Sequence, residues 1–184
     1  DRFDKQSDLA YTIRPEQRDD YDALFNELRA LDRVPDRIIH FWSVAPNEQT
    51  RLGLDVFEKA QNTGFYSLLF LTQAMGRLNA MNSARVEIFS NNMQCVTGDE
   101  ALCPEKATIL GLVKVIPLEY PGAVCRSIDI FVPKSGTSQE TRLLDQLMAE
   151  LLKRPSDSVV ACRGTSRWTQ TFEPIRLDPT TQAA

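Results

Sequence analysis

The chain has 184 residues, of which 42% are hydrophobic and 25% charged, and its formal net charge is −4. This length is enough for one domain with its own core. The mild negative charge, without a basic stripe, argues against nucleic acid as the main partner, because phosphate binding needs clustered Lys and Arg. The longest uncharged run, 60–76, is too polar for a membrane span and predicts a buried helix. No signal peptide is predicted from the first residues.

Strand and helix patterns alternate along the chain. Apolar runs predict strands at 10–13, 37–44, 84–90, 124–132, 158–163 and 168–172. Spacing and start signals predict helices that begin near Pro15, Leu52, Pro104 and Thr137. The run at 37–44 is almost continuously apolar, which is typical of a central parallel strand.

The last of these helices has the clearest signature. Thr137 and Glu140 fit a capping box at its start. Apolar residues at helical spacing then form one predicted core stripe: Leu143, Leu144, Leu147, Met148, Leu151 and Leu152.

Repeated strand–helix–strand units imply a mostly parallel sheet with helices on both faces. Because parallel crossovers are nearly always right-handed, a doubly wound, Rossmann-like α/β fold is the expected closure. We find no internal repeat or linker, and we assign 1–177 to one domain and 178–184 to a frayed C-terminal tail.

The glycines do not fit a dinucleotide site. Such a site needs glycines where the first strand meets its helix, so that the backbone can approach the pyrophosphate. None of the eight glycines forms a G-x-G pair, and the first predicted strand–helix turn, 13–16, has no glycine and carries an acid. The sequence therefore predicts no cofactor bound by this chain.

Catalytic residue patterns are not found either. Reductases on this fold commonly use a Tyr with a Lys four residues later, but Pro15, Phe25, Phe70 and Val124 follow the four tyrosines at that spacing. The single histidine, His40, lies inside an apolar strand and is predicted to be a hydrogen-bonded core residue. Asp99 and Glu100 are predicted to belong to a solvated loop. We assign no catalytic, cofactor-binding or metal-binding residue.

The cysteines do not form a metal-binding or redox motif. Cys95, Cys103, Cys125 and Cys162 contain no C-x-x-C pair, and ligand spacing for zinc is not met. We predict four free thiols in a reduced compartment.

Several stretches resemble the N-terminal structural subdomain of ketoreductases in modular polyketide synthases. They are PDRIIHFW (35–42), GFYSLLFLTQAMG (64–76), VTGDE (96–100), PEKATILGLVKVIPLEYPG (104–122), CRSIDI (125–130) and RGTSRWTQTFEPIRL (163–177). Together they cover most of the chain. The departures at Leu112, Val113 and Leu118 are apolar and fit a core or an interface.

The resemblance implies a truncated Rossmann-like fold, a degenerate half of the short-chain dehydrogenase/reductase type. It implies a non-catalytic scaffold that stabilises a C-terminal half, and that half reduces the β-keto group of an acyl-carrier-protein-bound polyketide with NADPH. The chain would be no enzyme alone but part of a cytoplasmic 3-oxoacyl-[acyl-carrier-protein] reductase, with other synthase domains as partners. Ser90 would stand near the place of a catalytic Ser, and Pro104 and Thr108 near those of the Tyr and Lys.

Two other functions stay open at this point. The chain could be a self-sufficient α/β enzyme with a site that these patterns do not reveal, or a module that docks another protein. A scaffold half should expose apolar surface, which we expect near the chain ends and at 91–103. Trp42 and Trp168 are expected in the core or at an interface.

Overall fold

The computed structural model describes residues 3–45 and 53–176. Its strands are β1 Asp4–Ser7, β2 Ala10–Thr12, β3 Arg37–Ser43, β4 Arg85–Asn91, β5 Val124–Ile130, β6 Val159–Arg163 and β7 Ser166–Thr169. Its α-helices are α1 Arg18–Ala30, α2 Leu54–Ala60, α3 Ser67–Arg77, α4 Ile109–Glu119 and α5 Ser138–Leu152. The predicted helix start at Leu52, the domain end at 177 and the tail 178–184 lie outside the described residues.

The main sheet has five strands in the order β3-β4-β5-β6-β7. The first four are parallel, and β7 returns antiparallel to β6. Helices cover both faces, so the predicted α/β class is confirmed. The described strands follow each other in sequence order without a reversal, which is how the fold is truncated relative to a complete doubly wound sheet.

Two strand predictions need correction. The segment predicted at 10–13 forms β2, which among the described strands pairs with β1 in a separate two-stranded sheet. The turn at 13–16 therefore does not follow the first strand of the main sheet, and its lack of glycine does not bear on a dinucleotide site in that sheet. The first strand of the main sheet is β3, and it lies at an edge rather than in the centre.

Two apolar clusters lie on opposite faces of the sheet. The larger cluster packs α1, α3 and α4 against side chains such as Val86, Ile88 and Cys125, and we call this side the α3–α4 face. The smaller cluster packs α5 against Phe89 and Ile128, on the side that we call the α5 face. Because side chains alternate along a strand, residues such as Ile88 and Phe89 belong to different faces.

The helix connections differ in hand. The connections from β3 to β4 and from β4 to β5 pass over the α3–α4 face, whereas the connection from β5 to β6 passes over the α5 face. All three move in the same direction across the sheet. The α5 connection therefore has the opposite hand to the other two, although parallel crossovers are nearly always right-handed.

The helices begin and end partly as predicted. Pro15 precedes α1, which begins at Arg18 after Gln17, so it does not open the first helical turn. The predicted long helix is present as α2, a π-helical segment Gln61–Tyr66 and α3. Pro104 opens a 3₁₀ turn, Pro104–Thr108, that leads into α4, and Pro117 lies inside that helix.

The capping box of α5 is confirmed, but its apolar stripe is not a single core stripe. The Thr137 side chain accepts a hydrogen bond from the Glu140 N–H. Leu147 and Leu151 are buried, with Leu143 packed beside them. The other three members of the predicted stripe are mostly exposed: Leu144, Met148 and Leu152. The helix therefore has an apolar inner side and an uncovered apolar flank.

Neither tryptophan is a core residue. Trp42 is 42% exposed on β3, and Trp168 is 47% exposed on β7. Exposed apolar side chains also occur near the described C-terminal end, at Phe172 and Ile175, and at Leu102, as expected. Other exposed apolar side chains lie on β3 and α5. None of the helices in the described ranges has the length and hydropathy of a membrane span.

Candidate functional site

The carboxyl ends of parallel strands form the edge at which open α/β sheets usually bind ligands. In this chain, Ser90 and Asn91 end β4, Asp129 lies near the end of β5, and Arg163 ends β6. These four side chains come together with the loop that follows β4, and they are the candidate site.

Asp129 is the centre of this site. Its carboxylate accepts hydrogen bonds from the Ser90 hydroxyl at 3.0 Å and from the backbone N–H groups of Met93 and Gln94 at 3.1 and 3.2 Å. Arg163 donates to it at 2.7 Å. Asp129 and Ser90 are both 0% exposed. These hydrogen bonds hold the loop that follows β4 against the sheet, and the Ser90 hydroxyl is bound to Asp129.

Glu100 closes the same loop from the other side. Its carboxylate accepts the N–H groups of Thr97, Gly98 and Val96, each at 2.9 Å, and lies 3.2 Å from Arg163. The Thr97 N–H, followed by the other two, holds the pKa of Glu100 well below its usual range. Asp99 stays exposed, as predicted for a solvated loop, but the side chain of Glu100 is only 8% exposed, which corrects that prediction for Glu100.

Asn91 joins β4 to two neighbouring segments. Its amide donates to the Ala45 carbonyl and accepts from the Ala45 N–H. The Lys106 ammonium group donates to the Asn91 side chain at 2.7 Å and to its backbone carbonyl at 3.1 Å. Pro104 and Thr108 lie in the 3₁₀ turn beside it, and neither supplies an acidic proton. The polar groups here bind one another.

His40 is the core residue that the sequence predicted. It is 6% exposed, and its Nε2 lies 2.8 Å from the Ser67 hydroxyl. Burial lowers the pKa of His40 to about 4, so the ring is neutral near pH 7. The Ser67 hydroxyl also contacts the carbonyls of Thr63 and Gly64 and has no exposed surface. This pair resembles a nucleophile and its base, but it cannot reach a substrate.

A second charged network lies toward the amino ends of the strands. Arg126 is 1% exposed and contacts the carboxylates of Glu87 and Glu150. Arg37 binds Glu87 at 2.8 Å, and Arg167 binds Glu150 at 2.9 Å. Burial alone would raise the pKa of Glu150, but the hydrogen bonds from Arg167 and Arg126 lower it below its ordinary value. The network therefore extends from β3 to β7.

Sequence reasoning missed both networks. Arg126 and Asp129 lie three residues apart on β5 and therefore face opposite sides of the strand, one in each network. The available signal was the presence of Glu87, Arg126 and Asp129 inside otherwise apolar strands. A charge at such a position needs a partner, but its identity depends on the strand register.

The cysteines and a small cavity are the remaining candidates for a site. All four cysteines are unpaired, as predicted, and burial raises the pKa of Cys125 to about 12. Among the described residues, no group of three or more His, Cys, Asp or Glu side chains could hold a metal ion. A cavity of about 220 Å³ lies between Gln94–Val96 and β6–β7.

Comparisons with known proteins identify one family and several solved structures with a similar fold. A family model described as beta-ketoacyl synthase-like, N-terminal, matches residues 1–150. A multidomain adenylation, ketoreductase and pseudo-Asub structure from a keto acid-selecting NRPS module is 28% identical, with a TM-score of 0.80 over 90% of this chain. An N-terminal ketoreductase from the macrolactin assembly line is 20% identical, with a TM-score of 0.69 over 95% of this chain. These matches confirm the predicted resemblance to assembly-line ketoreductases.

More distant structures share the fold alone. An alcohol dehydrogenase from Thermococcus sibiricus is 11% identical, with a TM-score of 0.58 over 85% of this chain and 74% of its own. The chain spans only 13% of the NRPS module structure and 35% of the macrolactin ketoreductase. No curated protein sequence matches it.

Proposed function

Since the chain belongs to the beta-ketoacyl synthase-like, N-terminal family, we propose that it is the non-catalytic scaffold half of an assembly-line ketoreductase. In this proposal, the C-terminal half of the same polypeptide reduces a β-keto group on an acyl carrier protein with NADPH. This chain binds no cofactor and contributes by packing against that half.

The observation that carries the proposal is the closed carboxyl edge of the sheet. Ser90, which stands near the place of a catalytic Ser, donates its hydroxyl to Asp129 and has no exposed surface. Arg163 neutralises Asp129 and binds Glu100 as well. A substrate carbonyl would have to displace a buried, charge-assisted network to reach this hydroxyl, which is costly.

The rest of the edge supports the same function. A ketone reduction needs a proton donor beside the reacting carbonyl. Near the Tyr and Lys positions of the resemblance, Pro104 has no acidic proton, and the Thr108 hydroxyl contacts the Glu105 carbonyl at 3.4 Å. Since the described strand order has no reversal, the sheet also lacks the switch-point crevice in which this class of fold holds a dinucleotide.

The sizes of the similar structures support a partner within one polypeptide. The chain corresponds to about a third of the macrolactin ketoreductase and a smaller share of the NRPS module. Both proteins therefore contain much more than this region. We propose that the partner is the C-terminal reductase half, with other synthase domains beyond it.

The proposal is tested by reduction assays with and without the reductase half. The isolated chain should neither bind NADPH in a fluorescence titration nor reduce a β-ketoacyl thioester. Co-expression with the C-terminal half should raise the yield of soluble, active reductase.

Ser90→Ala separates a scaffold from a catalytic role. The variant loses one hydrogen bond to Asp129, so we expect a loss of about 1 kcal/mol of stability and an unchanged kcat in the folded reductase. Asp99→Asn, at an exposed position, serves as the control and should change neither quantity. A hundredfold fall in kcat for Ser90→Ala or Asp99→Asn, with normal folding and KM, would show that this half takes part in catalysis.

A further inference from the structure

The free edge of β3 borders an apolar groove. The groove has a volume of about 310 Å³ and is lined by β3 on one side and α1 on the other. Its lining contains five consecutive β3 residues, Ile38, Ile39, His40, Phe41 and Trp42. Alternate residues would line a face of a strand, whereas consecutive residues line its edge. The groove therefore runs along the edge of the sheet.

Part of the backbone of this edge is available for pairing, although the Phe41 carbonyl already accepts the Val44 N–H. β3 pairs with β4 alone among the described strands. The Asp36 carbonyl accepts the Arg85 N–H at 2.8 Å, so residue 36 points toward β4. Backbone groups alternate in direction along a strand, and those of Ile39 therefore point into the groove. An exposed row of such groups is a template for another strand.

The helix α1 covers the groove beside the outer edge of β3. It packs against α3, which itself lies over β3 through the contact between Ser67 and His40. The Tyr21, Leu24 and Leu28 side chains of α1 line the groove opposite β3. In an α/β layer structure, a helix in this position covers a strand. Here the space beneath α1 is open.

On the opposite face of the sheet, two apolar side chains of the same edge are partly exposed within the described ranges. Ile39 is 41% and Phe41 is 47% exposed, and the Phe41 ring stacks on Phe89 at a centroid distance of 4.6 Å. Apolar side chains are thus exposed on both sides of an unpaired edge. This explains why the β3 sequence has the composition of a central strand although the strand lies at an edge.

The position of α1 decides which occupant fits. A second copy of the chain, paired through its own β3, would bring its own α3 over that strand. This second α3 would occupy the place that α1 already fills. A single strand without a helix on that side meets no such obstacle, and its apolar side chains at alternate positions would pack under Leu24 and Leu28.

We propose that the groove receives one extended strand of the reductase half, which pairs with β3 as a further strand of the sheet. This proposal rests on the proposed function and names the contact through which the scaffold holds its partner. Main-chain hydrogen bonds along β3 supply affinity, and the apolar wall of α1 selects a strand with apolar residues at every second position.

The test compares two substitutions of one residue. Ile39→Pro removes the N–H that points into the groove and leaves the β3–β4 pairing intact. Ile39→Ala also shortens the isoleucine side chain but keeps the N–H, so the two variants differ in this backbone group. We expect Ile39→Pro to weaken binding of the reductase half by about tenfold more than Ile39→Ala. Thermal unfolding of the isolated variants checks that both fold. Leu54→Ala, at a 72% exposed position on α2, should bind like the wild type.

Hydrogen exchange provides a second measurement. The amide of Ile39 should exchange more slowly in the complex than in the isolated chain, because it becomes hydrogen-bonded there. Equal binding by Ile39→Pro and the wild type, or unchanged exchange at β3, would overturn the strand proposal and leave the proposed function standing.

Two further outcomes are distinguishable. If the wild-type chain does not bind or solubilise the reductase half at all, the proposed function itself fails. If light scattering shows a dimer of the isolated chain that Ile39→Pro converts to a monomer, the groove takes a second copy and the strand proposal is wrong.

Discussion

The two edges of the main sheet differ in length, charge and cover. The β7 edge has four residues in an antiparallel hairpin, and Arg167 on it binds Glu150 and Asp157. The β3 edge has seven residues, with exposed apolar side chains and a groove beside it. Short, charged edges resist further pairing, whereas long apolar edges invite it. The comparison supports our proposal that a further strand is added at β3 rather than at β7.

Removing the charge that connects the two edges should have the largest effect. Arg126 contacts Glu87, which binds Arg37 on β3, and Glu150, which binds Arg167 on β7. Arg126→Ala leaves two buried carboxylates without their shared partner, and we expect a loss of about 3–5 kcal/mol. Urea unfolding measures the change. A loss equal to that of Arg167→Ala, whose side chain is 27% exposed, would contradict a special role for Arg126.

A pH titration should distinguish the edges next, because the chain's single histidine lies on β3. The pKa of His40 is lowered from 6.5 to about 4 by burial. His40 therefore becomes protonated below pH 6.5 in the unfolded chain, but only below about pH 4 in the folded chain. The free energy of unfolding should fall by about 2 kcal/mol between pH 7 and pH 5.

The variant His40→Gln provides the control for this titration. It has no imidazole, so its unfolding free energy should lose this slope between pH 7 and pH 5. Equal slopes for the variant and the wild type would assign the titration to other groups.

The two tryptophans give a smaller and more direct comparison. Each is a little under half exposed, one on each edge. Truncation of a buried Trp costs about 3–5 kcal/mol, so we expect about 1–2 kcal/mol for Trp42→Ala and for Trp168→Ala in the isolated chain. With the reductase half bound, the cost of Trp42→Ala should rise and that of Trp168→Ala should not. Chemical unfolding of the complex and of the isolated chain tests this, and equal costs in the complex would remove the distinction between the edges.

The smallest effect should come from a residue that belongs to neither edge. Asp99 is exposed, and its neighbour Glu100 makes the contacts that order the loop. Asp99→Asn should change stability by less than about 0.5 kcal/mol. Glu100→Gln should cost more, since it weakens the ion pair with Arg163. Equal losses of stability for the two variants in thermal unfolding would show that the contacts of Glu100 do not stabilise the fold and that it behaves as a solvated loop residue.

The sequence predicted the strands and helices better than it predicted which parts of them are covered by other elements. The apolar run of β3 identified a parallel strand, but its composition indicated a central position, whereas the strand lies at an edge of the described sheet. The apolar residues of α5 were likewise read as one stripe, although Leu144 and Met148 are uncovered in the described chain. Local patterns report that a side chain should be buried, and they do not report by what.

The charged site was hidden for a different reason. Asp129 and Arg163 are 34 residues apart in sequence and meet only because β5 and β6 pair in one register. His40 was easier to interpret, since its burial followed from the apolar residues on either side. Predictions based on neighbours in sequence were confirmed more often than those that required strand register.

The sequential strand order has a consequence for how the chain is made. Each strand from β4 to β7 pairs with the strand that precedes it in the sequence. During synthesis, each strand from β4 to β7 therefore emerges when its described neighbour is already outside the ribosome. The open edge belongs to the first strand of this series. The strand that we propose for this edge belongs to the C-terminal half, so β3 would be the first strand of the series to be made and the last to be fully paired.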